Sequence, residues 1–340
     1  MNKVIILLGP TGVGKTEVSI LIAKALDTEI ISADSMQIYR GMDIGTAKPS
    51  KKQREEVRHH MIDIVEPSES YSTGRYIEDI KPIIENLHKK NKIPIIVGGT
   101  GLYIKAMTRG MFSGPSADWK LREELNVMEE GQSGSLYNYL KELDPEAASK
   151  IMPADTRRII RAIEVCLKTK QGMSELQQKL TQPLPYEFIK VGLTRDRKEL
   201  YKMIEERVDK MIESGFVDEV KRIVEKLDKS DSPARTDLAG SSAVRLAGKP
   251  IHPVRDKSLT GFTALQAIGY KEISMYLNAE IPFEEAVRLV KRNTKRYAKR
   301  QFTWFRKEED IYWTDITGIQ DVNEIFKQLW QVLDGVIQKA

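Results

Sequence analysis

The sequence predicts an α/β fold in which helices flank a parallel sheet and a small helical domain is inserted. A short apolar run, Val4–Leu8, leads directly into a glycine-rich turn, and helical spacing follows over Thr16–Leu26. Later runs predict a helix at Ile77–Lys89 and strands at Glu29–Ser32, Ile93–Val97 and Val191–Leu193. Strands that alternate with helices and end in glycine turns are typical of a parallel sheet with helices on its faces.

The middle of the chain has a different pattern. From Trp119 to Lys179 apolar residues recur at helical spacing, and runs rich in β-branched residues are few. Turn-forming segments, Ser113-Gly114-Pro115 and Pro183-Leu184-Pro185, bound this region. We therefore predict a helical domain at 114–190, inserted into an α/β catalytic domain that comprises 1–113 and 191–340.

The region after the insertion is predicted to contain long helices at Arg197–Lys229 and Phe283–Lys307. Residues 231–261, which lie between them, are rich in Gly, Ser, Pro and Arg and show no apolar periodicity. Structureless connections of this length are uncommon inside compact domains. We predict that 231–261 is a flexible insertion.

Composition excludes several classes of protein. The 340 residues carry a net charge of +5, which is compatible with a polyanionic partner without requiring one. Cys166 is the only cysteine, so an intrachain disulfide framework and a cysteine-based zinc site are excluded. No apolar run approaches the length of a signal segment or a membrane span. We expect a cytoplasmic protein with no membrane partner.

The glycine-rich turn matches the phosphate-binding pattern G-x-x-x-x-G-K-[ST] and lies between a strand and a helix, as that motif requires. Its residues are Gly9, Pro10, Thr11, Gly12, Val13, Gly14, Lys15 and Thr16. Backbone amides and the positive end of a helix favour phosphate there, Lys15 adds a mobile cation, and the Thr16 hydroxyl is a ligand for Mg²⁺.

The turn does not identify ATP as the ligand. Most P-loop NTPases hold Mg²⁺ with a carboxylate at a strand end, whereas the Ile93–Val97 strand ends in Gly98-Gly99-Thr100-Gly101. The remaining candidate is Asp34, after the second strand. From the residues alone, Asp34 assists a metal, caps a helix or acts as a base.

A basic helix is a second candidate site. Residues Arg288–Lys307 include nine Lys or Arg and no Asp or Glu. Four of the cations, Arg288, Arg292, Lys295 and Lys299, fall on one helical face. A merely solvated face usually carries interspersed acids. The pattern therefore favours a face that binds nucleic-acid phosphates.

Three further segments, together with the P-loop, resemble the bacterial tRNA dimethylallyltransferases, also called tRNA isopentenyltransferases. The first is Ser32–Pro49 (SADSMQIYRGMDIGTAKP) and the second is Gly98–Tyr103 (GGTGLY). The third is Gln266–Glu272 (QAIGYKE), followed by Lys291–Gln301 (KRNTKRYAKRQ) and Thr303–Arg306 (TWFR). Their order and spacing extend the resemblance over nearly the whole chain.

The resemblance implies a reaction and its partners. In this family the P-loop binds the diphosphate of dimethylallyl diphosphate with Mg²⁺, and no ATP is consumed. The acceptor is N6 of adenosine 37 in the anticodon loop of tRNAs that read codons starting with U, and the base is flipped out to reach the enzyme. The inserted helical domain holds the anticodon stem-loop. We expect a monomer.

The resemblance also implies residue roles. Asp34 matches the general base, Thr100 a residue at the reacting centre, and Arg207 an arginine that binds diphosphate. The tRNA-contacting positions are Asp34, Ser35, Met36, Gln37, Thr100, Arg157, Arg158, Ile159, Ile160 and Arg161, to which the basic helix adds Arg292, Lys295 and Lys299. Thr16 is the expected metal ligand.

The chain departs from the family in the length of its 231–261 connection, which the family keeps short. It also lacks the cysteines for the zinc finger of eukaryotic relatives. Two alternatives remain at this stage. A P-loop kinase of a small metabolite would explain Lys15, Thr16 and Asp34 but leaves the basic helix unexplained. An NTP-gated RNA-binding module would hydrolyse ATP, whereas the transferase would not.

Overall fold

A computed structural model, which describes residues 2–112, 114–230, 245–246, 249–250 and 262–337, contains a six-stranded parallel sheet. In chain order its strands are β1 (Lys3–Leu8), β2 (Ile30–Ala33), β3 (His59–His60), β4 (Ile95–Gly98), β5 (Glu187–Thr194) and, after two short strands given below, β8 (Ile311–Asp315). In space the order is β3-β2-β4-β1-β5-β8. The predicted parallel α/β sheet is confirmed.

The register of the sheet brings the predicted site residues together. Leu8 lies opposite both Gly98 and Gly192, and Gly98 lies opposite Ala33. Strands β1, β2 and β4 therefore end at the same level. Gly9, Asp34 and Gly99, the residues that follow these ends, leave the sheet at one carboxyl edge, where ligands bind in open parallel sheets.

The chain forms two compact units, Met1–Tyr103 with Tyr186–Ala340, and Ile104–Pro185. The smaller unit thus begins and ends earlier than the predicted 114–190. In the larger unit the strands are joined by α1 (Lys15–Ala25), α2 (Lys51–Glu56) and α3 (Thr73–Lys89). Helix α4 (Gly101–Thr108) follows β4 and contains the boundary between the two units. After β5 come α10 (Arg197–Glu213), α11 (Phe216–Ser230), α12 (Tyr270–Leu277), α13 (Phe283–Phe305) and α14 (Val322–Ile337).

The core of the larger unit is built on β1. All five residues of Val4–Leu8 are fully buried, between neighbours that include α1 and α14. Complete burial stabilises the fold by about 1.5–3 kcal/mol for each large apolar side chain. This central strand therefore anchors the P-loop that follows it.

The predicted single helix at Arg197–Lys229 is wrong, because α10 ends at Glu213 and α11 begins at Phe216. Gly215 separates them with a φ of 91°, a left-handed conformation that glycine adopts at little cost and that commonly ends helices. Among the elements that were not predicted are α2, β3, α4, α12, β8 and α14. Residues 231–261 lie largely outside the described residues, which include there only the antiparallel pair β6 (Arg245–Leu246) and β7 (Lys249–Pro250).

The smaller unit is helical, as predicted: α5 (Trp119–Gly131), α6 (Ser135–Leu143), α7 (Pro145–Lys150), α8 (Thr156–Thr169) and α9 (Met173–Leu180). Asp118, Asp144 and Asp155 accept hydrogen bonds from backbone amides at the starts of α5, α7 and α8. Such caps typically stabilise a helix by about 1 kcal/mol. Within the described residues, no helix is both long and apolar enough to cross a membrane.

A buried ion cluster holds α5 against α8. The fully buried Glu164 accepts from Nε and Nη2 of Arg122 at 3.0 and 2.8 Å, from Nη1 of Arg161, and from the Asp118 amide at 2.7 Å. Burial alone would raise the pKa of Glu164, but these hydrogen bonds outweigh it and lower the pKa to about 2. The carboxylate is therefore ionised and paired at neutral pH.

Candidate active site

A cleft of about 1000 Å³ opens at the carboxyl edge of the sheet, large enough for a small-molecule substrate. Its walls come from the P-loop, from the segments after β2 and β4, from α10, and from residues near Gly318. Several predicted site residues line it together: Thr11, Gly12, Gly14, Lys15, Thr16, Asp34, Gln37 and Arg207.

The P-loop curves around its own lysine. Nζ of Lys15 donates to the carbonyls of Gly9 and Pro10 at 2.8 and 2.9 Å, so the cation lies over the loop. Desolvation lowers the pKa of Lys15 to about 8, an effect that Asp34 opposes and Arg207 reinforces. An anion bound next to this ammonium would raise that pKa again. The residue is thus a cation whose charge depends on what the cleft contains.

Arg207 lies on α10 and reaches the same loop. Its Nη1 is 3.4 Å from the Thr11 hydroxyl. Burial lowers the pKa of its guanidinium, while Asp34 and Glu17 oppose that change. An arginine stays charged at physiological pH even so. The cleft therefore gathers two cations at the positive end of α1, where a diphosphate would be stabilised.

Asp34 and Thr100 lie together beside the P-loop. Oδ1 of Asp34 accepts from the amides of Met36 and Gln37 at 2.8 and 3.3 Å. The Thr100 hydroxyl accepts from the Ser35 amide at 3.1 Å, and the Thr100 amide donates to the Ala33 carbonyl. Among the described residues no hydrogen bond is found to Oδ2 of Asp34. Oδ1 thus holds the side chain in place, and Oδ2 is available to accept a proton or to bind a metal ion.

A chain of contacts supports the segment that carries Gln37. Its Nε2 donates to the carbonyls of Thr46 and Ala47, and Ser32 donates to its Oε1. Just before them, the amides of Asp43, Ile44 and Gly45 all donate to the buried carboxylate of Glu219, at 2.8–3.0 Å. A charged acceptor shared by three successive amides fixes the backbone of this loop firmly.

Tyr270 completes that support and gives the QAIGYKE segment a structural role. Its hydroxyl donates to Glu219 at 2.6 Å. Burial, together with the neighbouring Glu219 carboxylate, raises the pKa of Tyr270 well above its usual range. A Cβ on Gly45 would lie 2.2 Å from the Phe216 ring and 2.5 Å from the Tyr270 ring, so only glycine fits there.

The basic face of α13 is only partly available. Lys295 is paired with Glu205 of α10, and Arg288 with Glu285 at 2.6 Å. These ion pairs compete with a phosphate for Arg288 and Lys295, and tRNA contact by the basic helix stays a prediction. Arg292 and Lys299 are exposed, and no ion pair to them is found in the described part of the chain.

The tRNA-contacting segment predicted at 157–161 begins α8 of the smaller unit. Ile159 and Ile160 are buried in the core of that unit, and Arg161 is paired with Glu164. Arg158 is 74% exposed beside Asp155, and Arg157 is exposed. The side chains that face solvent here are thus Arg157 and Arg158, whereas the other three shape the helix start.

The predicted magnesium site fits the residues of the cleft. The Thr16 hydroxyl and the Asp34 carboxylate are hard oxygen donors that line the same space. Magnesium typically takes one or two protein ligands and completes its shell with waters and substrate phosphates. No group of three His, Cys, Asp or Glu among the described residues forms a dedicated metal cage. Thr16 thus remains the predicted ligand, with Asp34 as a second candidate.

Sequence reasoning missed several residues that organise the site. Glu219 lies in a helix without any recognisable motif, and Gln301 and Tyr270 stood inside quoted motifs without a role. The amide of Gln301 contacts both the P-loop and Gly99, as described below. Gln301 is a single glutamine among basic residues and Glu219 is a glutamate near a helix start, and neither pattern indicates a supporting role in a site.

A P-loop at the carboxyl edge of a parallel sheet, with Lys15, Arg207 and Asp34 lining one cleft, is the pattern of α/β proteins that bind phosphorylated ligands. Comparisons with known proteins narrow this class. Residues 37–308 match the family model described as IPP transferase. A tRNA dimethylallyltransferase of Thermodesulfovibrio yellowstonii is 55% identical over 338 residues, covering 99% of each chain. The chain belongs to the IPP transferase family.

Relatives and solved structures extend over the same length. The tRNA dimethylallyltransferase of Thermotoga maritima is 42% identical and covers 97% of this chain and 98% of its own. The crystal structure of the full-length tRNA isopentenylpyrophosphate transferase of Bacillus halodurans aligns with a TM-score of 0.68 and 36% identity, covering 100% of this chain and 98% of that one. A eukaryotic dimethylallyltransferase acting on tRNA aligns with a TM-score of 0.72 and 30% identity, covering 94% and 75%. The resemblance found in the sequence is confirmed.

Proposed function

We propose that the protein transfers a dimethylallyl group from dimethylallyl diphosphate to N6 of adenosine 37 in tRNAs that read codons starting with U, releasing diphosphate. Full-length relatives named as tRNA dimethylallyltransferases support the reaction class. The observation that carries the proposal is the convergence of Lys15, Arg207, Asp34 and Thr100 at one sheet edge, where a diphosphate-binding side meets a proton-accepting side.

The donor binds with its diphosphate against the P-loop. Amides at the start of α1 have no partner within the helix and point toward the anion. Lys15 moves from the Gly9 and Pro10 carbonyls to the phosphates, and Arg207 adds a second positive charge. Mg²⁺, held by Thr16, would neutralise the charge that develops on the leaving diphosphate. These groups stabilise the leaving group more strongly as the allylic C–O bond breaks.

The acceptor side uses Asp34. The lone pair of adenine N6 is delocalised into the ring, so a carboxylate that takes the N6 proton as the C–N bond forms assists the attack. Oδ1 is held by the amides of Met36 and Gln37, which leaves Oδ2 as the proton acceptor. The Thr100 hydroxyl is tied to the residue after Asp34 and helps to set the position of the base.

The tRNA binds through positive charge on each of the two units. In the larger unit the exposed cations Arg292 and Lys299 offer contacts to phosphates, and in the smaller unit Arg157 and Arg158 do the same. A loop base is less costly to flip out than a paired one, which favours an anticodon-loop target. Function as a cytoplasmic monomer remains a prediction, as does the flipping of the base.

The test is transfer of label from dimethylallyl diphosphate to unmodified tRNA, followed by digestion and mapping of the labelled nucleoside. We expect N6-isopentenyladenosine at position 37 and equimolar diphosphate. A tRNA with guanosine at position 37 is the matched control and should accept no label. Label at another position would overturn the assigned acceptor, and ATP hydrolysis without prenyl transfer would favour the NTP-gated alternative.

A further inference from the structure

The side chain of Gln301 makes two hydrogen bonds to backbone groups at the carboxyl edge of the sheet. Gln301 lies on α13 and is 5% exposed. Its Oε1 accepts from the Thr11 amide at 2.8 Å, and its Nε2 donates to the Gly99 carbonyl at 2.9 Å. A side-chain amide thus pairs with two backbone groups that are distant in sequence, and both of its polar atoms are used.

The contacts lie where the sheet itself no longer connects these segments. The register of β1 and β4 ends with Leu8 opposite Gly98. Beyond that pair, no further backbone hydrogen bond between the P-loop and the Gly99–Thr100 segment is found in the described part of the chain. Like a peptide group, the Gln301 amide presents one donor and one acceptor, and it bridges the gap. A Cβ on Gly99 would lie 2.2 Å from Nε2, so glycine is what permits this approach.

The two bridged segments carry the two halves of the proposed reaction. Thr11 belongs to the diphosphate-binding loop, and its hydroxyl is within reach of Arg207. Gly99 precedes Thr100, and the Thr100 hydroxyl accepts a hydrogen bond from the amide of Ser35, the residue after Asp34. Gln301 therefore links the loop that holds the leaving group to the segment that positions the base.

The same helix presents its basic side elsewhere. At about 100° per residue, Arg292 and Gln301 project from α13 in directions about 180° apart. Lys299 lies about 160° from Gln301, so Arg292 and Lys299 are both on the side opposite Gln301, and substitutions at Gln301 leave that side intact. A change in reaction rate at Gln301 can thus be separated from a change in tRNA affinity.

We infer that Gln301 is a positioning residue: it sets the distance between the donor diphosphate and the Asp34–Thr100 side of the cleft. This inference rests on the proposed function. Alkyl transfer requires the allylic carbon and N6 to be aligned at close range, and a displacement of about 1 Å can slow such a step by about 10²-fold. Because Gln301 contacts neither reacting group, its effect acts through the two backbone segments.

Gln301→Glu is the sharpest variant, because it keeps the size and shape of the side chain. The ionised carboxylate still accepts from the Thr11 amide but places a second oxygen against the Gly99 carbonyl. We expect the single-turnover rate of the bound complex to fall about 10- to 100-fold at pH 8. The dissociation constants for inorganic diphosphate and tRNA should stay within a few-fold of the wild type.

Acid should restore this variant. A protonated glutamic acid donates to Gly99 and accepts from Thr11, as glutamine does, and burial beside a carbonyl favours protonation. The ratio of variant to wild-type rate should rise as pH falls, and taking the ratio cancels any pH dependence that the two proteins share. Gln301→Met, which makes neither bond, should show the loss without recovery in acid. Gln331→Glu, on the exposed face of α14, controls for the added charge.

An unchanged single-turnover rate in Gln301→Glu and Gln301→Met would overturn the inference. So would a loss that acid does not reverse in the glutamate variant, or one in which both substrates also dissociate and the melting temperature collapses, because either pattern indicates a merely structural contact. These failures differ from failure of the proposed function, in which the wild-type protein itself transfers no dimethylallyl group.

Discussion

The affinity of the cleft for diphosphate should depend on pH through Lys15. Its pKa is lowered to about 8 in the free protein, mainly by desolvation. The anion restores the favourable environment of the ammonium, so diphosphate binds the protonated form and raises that pKa. The charged fraction of Lys15 falls from about nine-tenths at pH 7 to about one-tenth at pH 9. The dissociation constant should therefore rise about tenfold over this range.

Calorimetry with inorganic diphosphate, at constant Mg²⁺ and ionic strength, measures both the affinity and the protons taken up. Near pH 8 we expect uptake of about half a proton per diphosphate bound, seen as a dependence of the heat on the buffer. Lys15→Arg is the matched control, because an arginine stays charged over this range. It should bind more weakly but lose the dependence between pH 7.5 and 9. A flat affinity in the wild type, or the same slope in Lys15→Arg, would refute this reasoning.

Replacing Arg292 and Lys299 with alanine should weaken tRNA binding and reduce the slope of log affinity against log salt by about 1.5. Lys295→Ala should change this slope less, because Lys295 is already paired with Glu205. Equal effects would contradict the view that Arg292 and Lys299 are the more available cations. Glu219→Gln places an amide donor against three backbone amide donors, so the free energy of unfolding should fall by about 2 kcal/mol or more, and the transfer rate should fall as well. A variant as stable in denaturant as the wild type would contradict this role of Glu219. Glu164→Gln leaves Arg122 and Arg161 without their carboxylate and should destabilise the protein by about 3–5 kcal/mol. The pKa of Glu164 is lowered to about 2 in the folded protein from 4.5. The difference in stability between the wild type and Glu164→Gln should therefore be complete above pH 5 and shrink as pH falls toward 2. A stability difference that persists unchanged at low pH would contradict the role of the ionised carboxylate.

Local pattern predicted most of the sheet and the phosphate site. Val4–Leu8 and Ile93–Val97 are short apolar runs that end in glycine, and such runs form buried parallel strands whatever their distant neighbours are. The P-loop could be predicted because eight consecutive residues supply all of its phosphate-binding groups. Elements with weaker local signals, such as the two-residue β3 and the partly exposed β8, gain their structure from pairing with β2 and β5, and a local window cannot contain that information.

The contacts that support the site could not be predicted from the sequence, because they too join residues that are far apart along the chain. Glu205 and Lys295 are 90 positions apart, and Glu219 is more than 170 positions from the amides that it accepts. An acid-free run along α13 predicted a uniform basic face, but the acids that neutralise Lys295 and Lys291 come from α10. Which cations are available to RNA therefore depends on helix packing, and composition along one helix does not determine it.

The single-turnover rate of Asp34→Asn tests the central claim most directly. Asparagine keeps Oδ1 as an acceptor for the Met36 and Gln37 amides, so the turn should persist while the basic oxygen is lost. With tRNA and dimethylallyl diphosphate both bound at near wild-type affinity, the chemical step should slow by about 10²–10⁴. A near wild-type rate from the saturated complex would contradict the assignment of Asp34 as base, and weakened diphosphate binding that excess Mg²⁺ repairs would assign it to the metal instead.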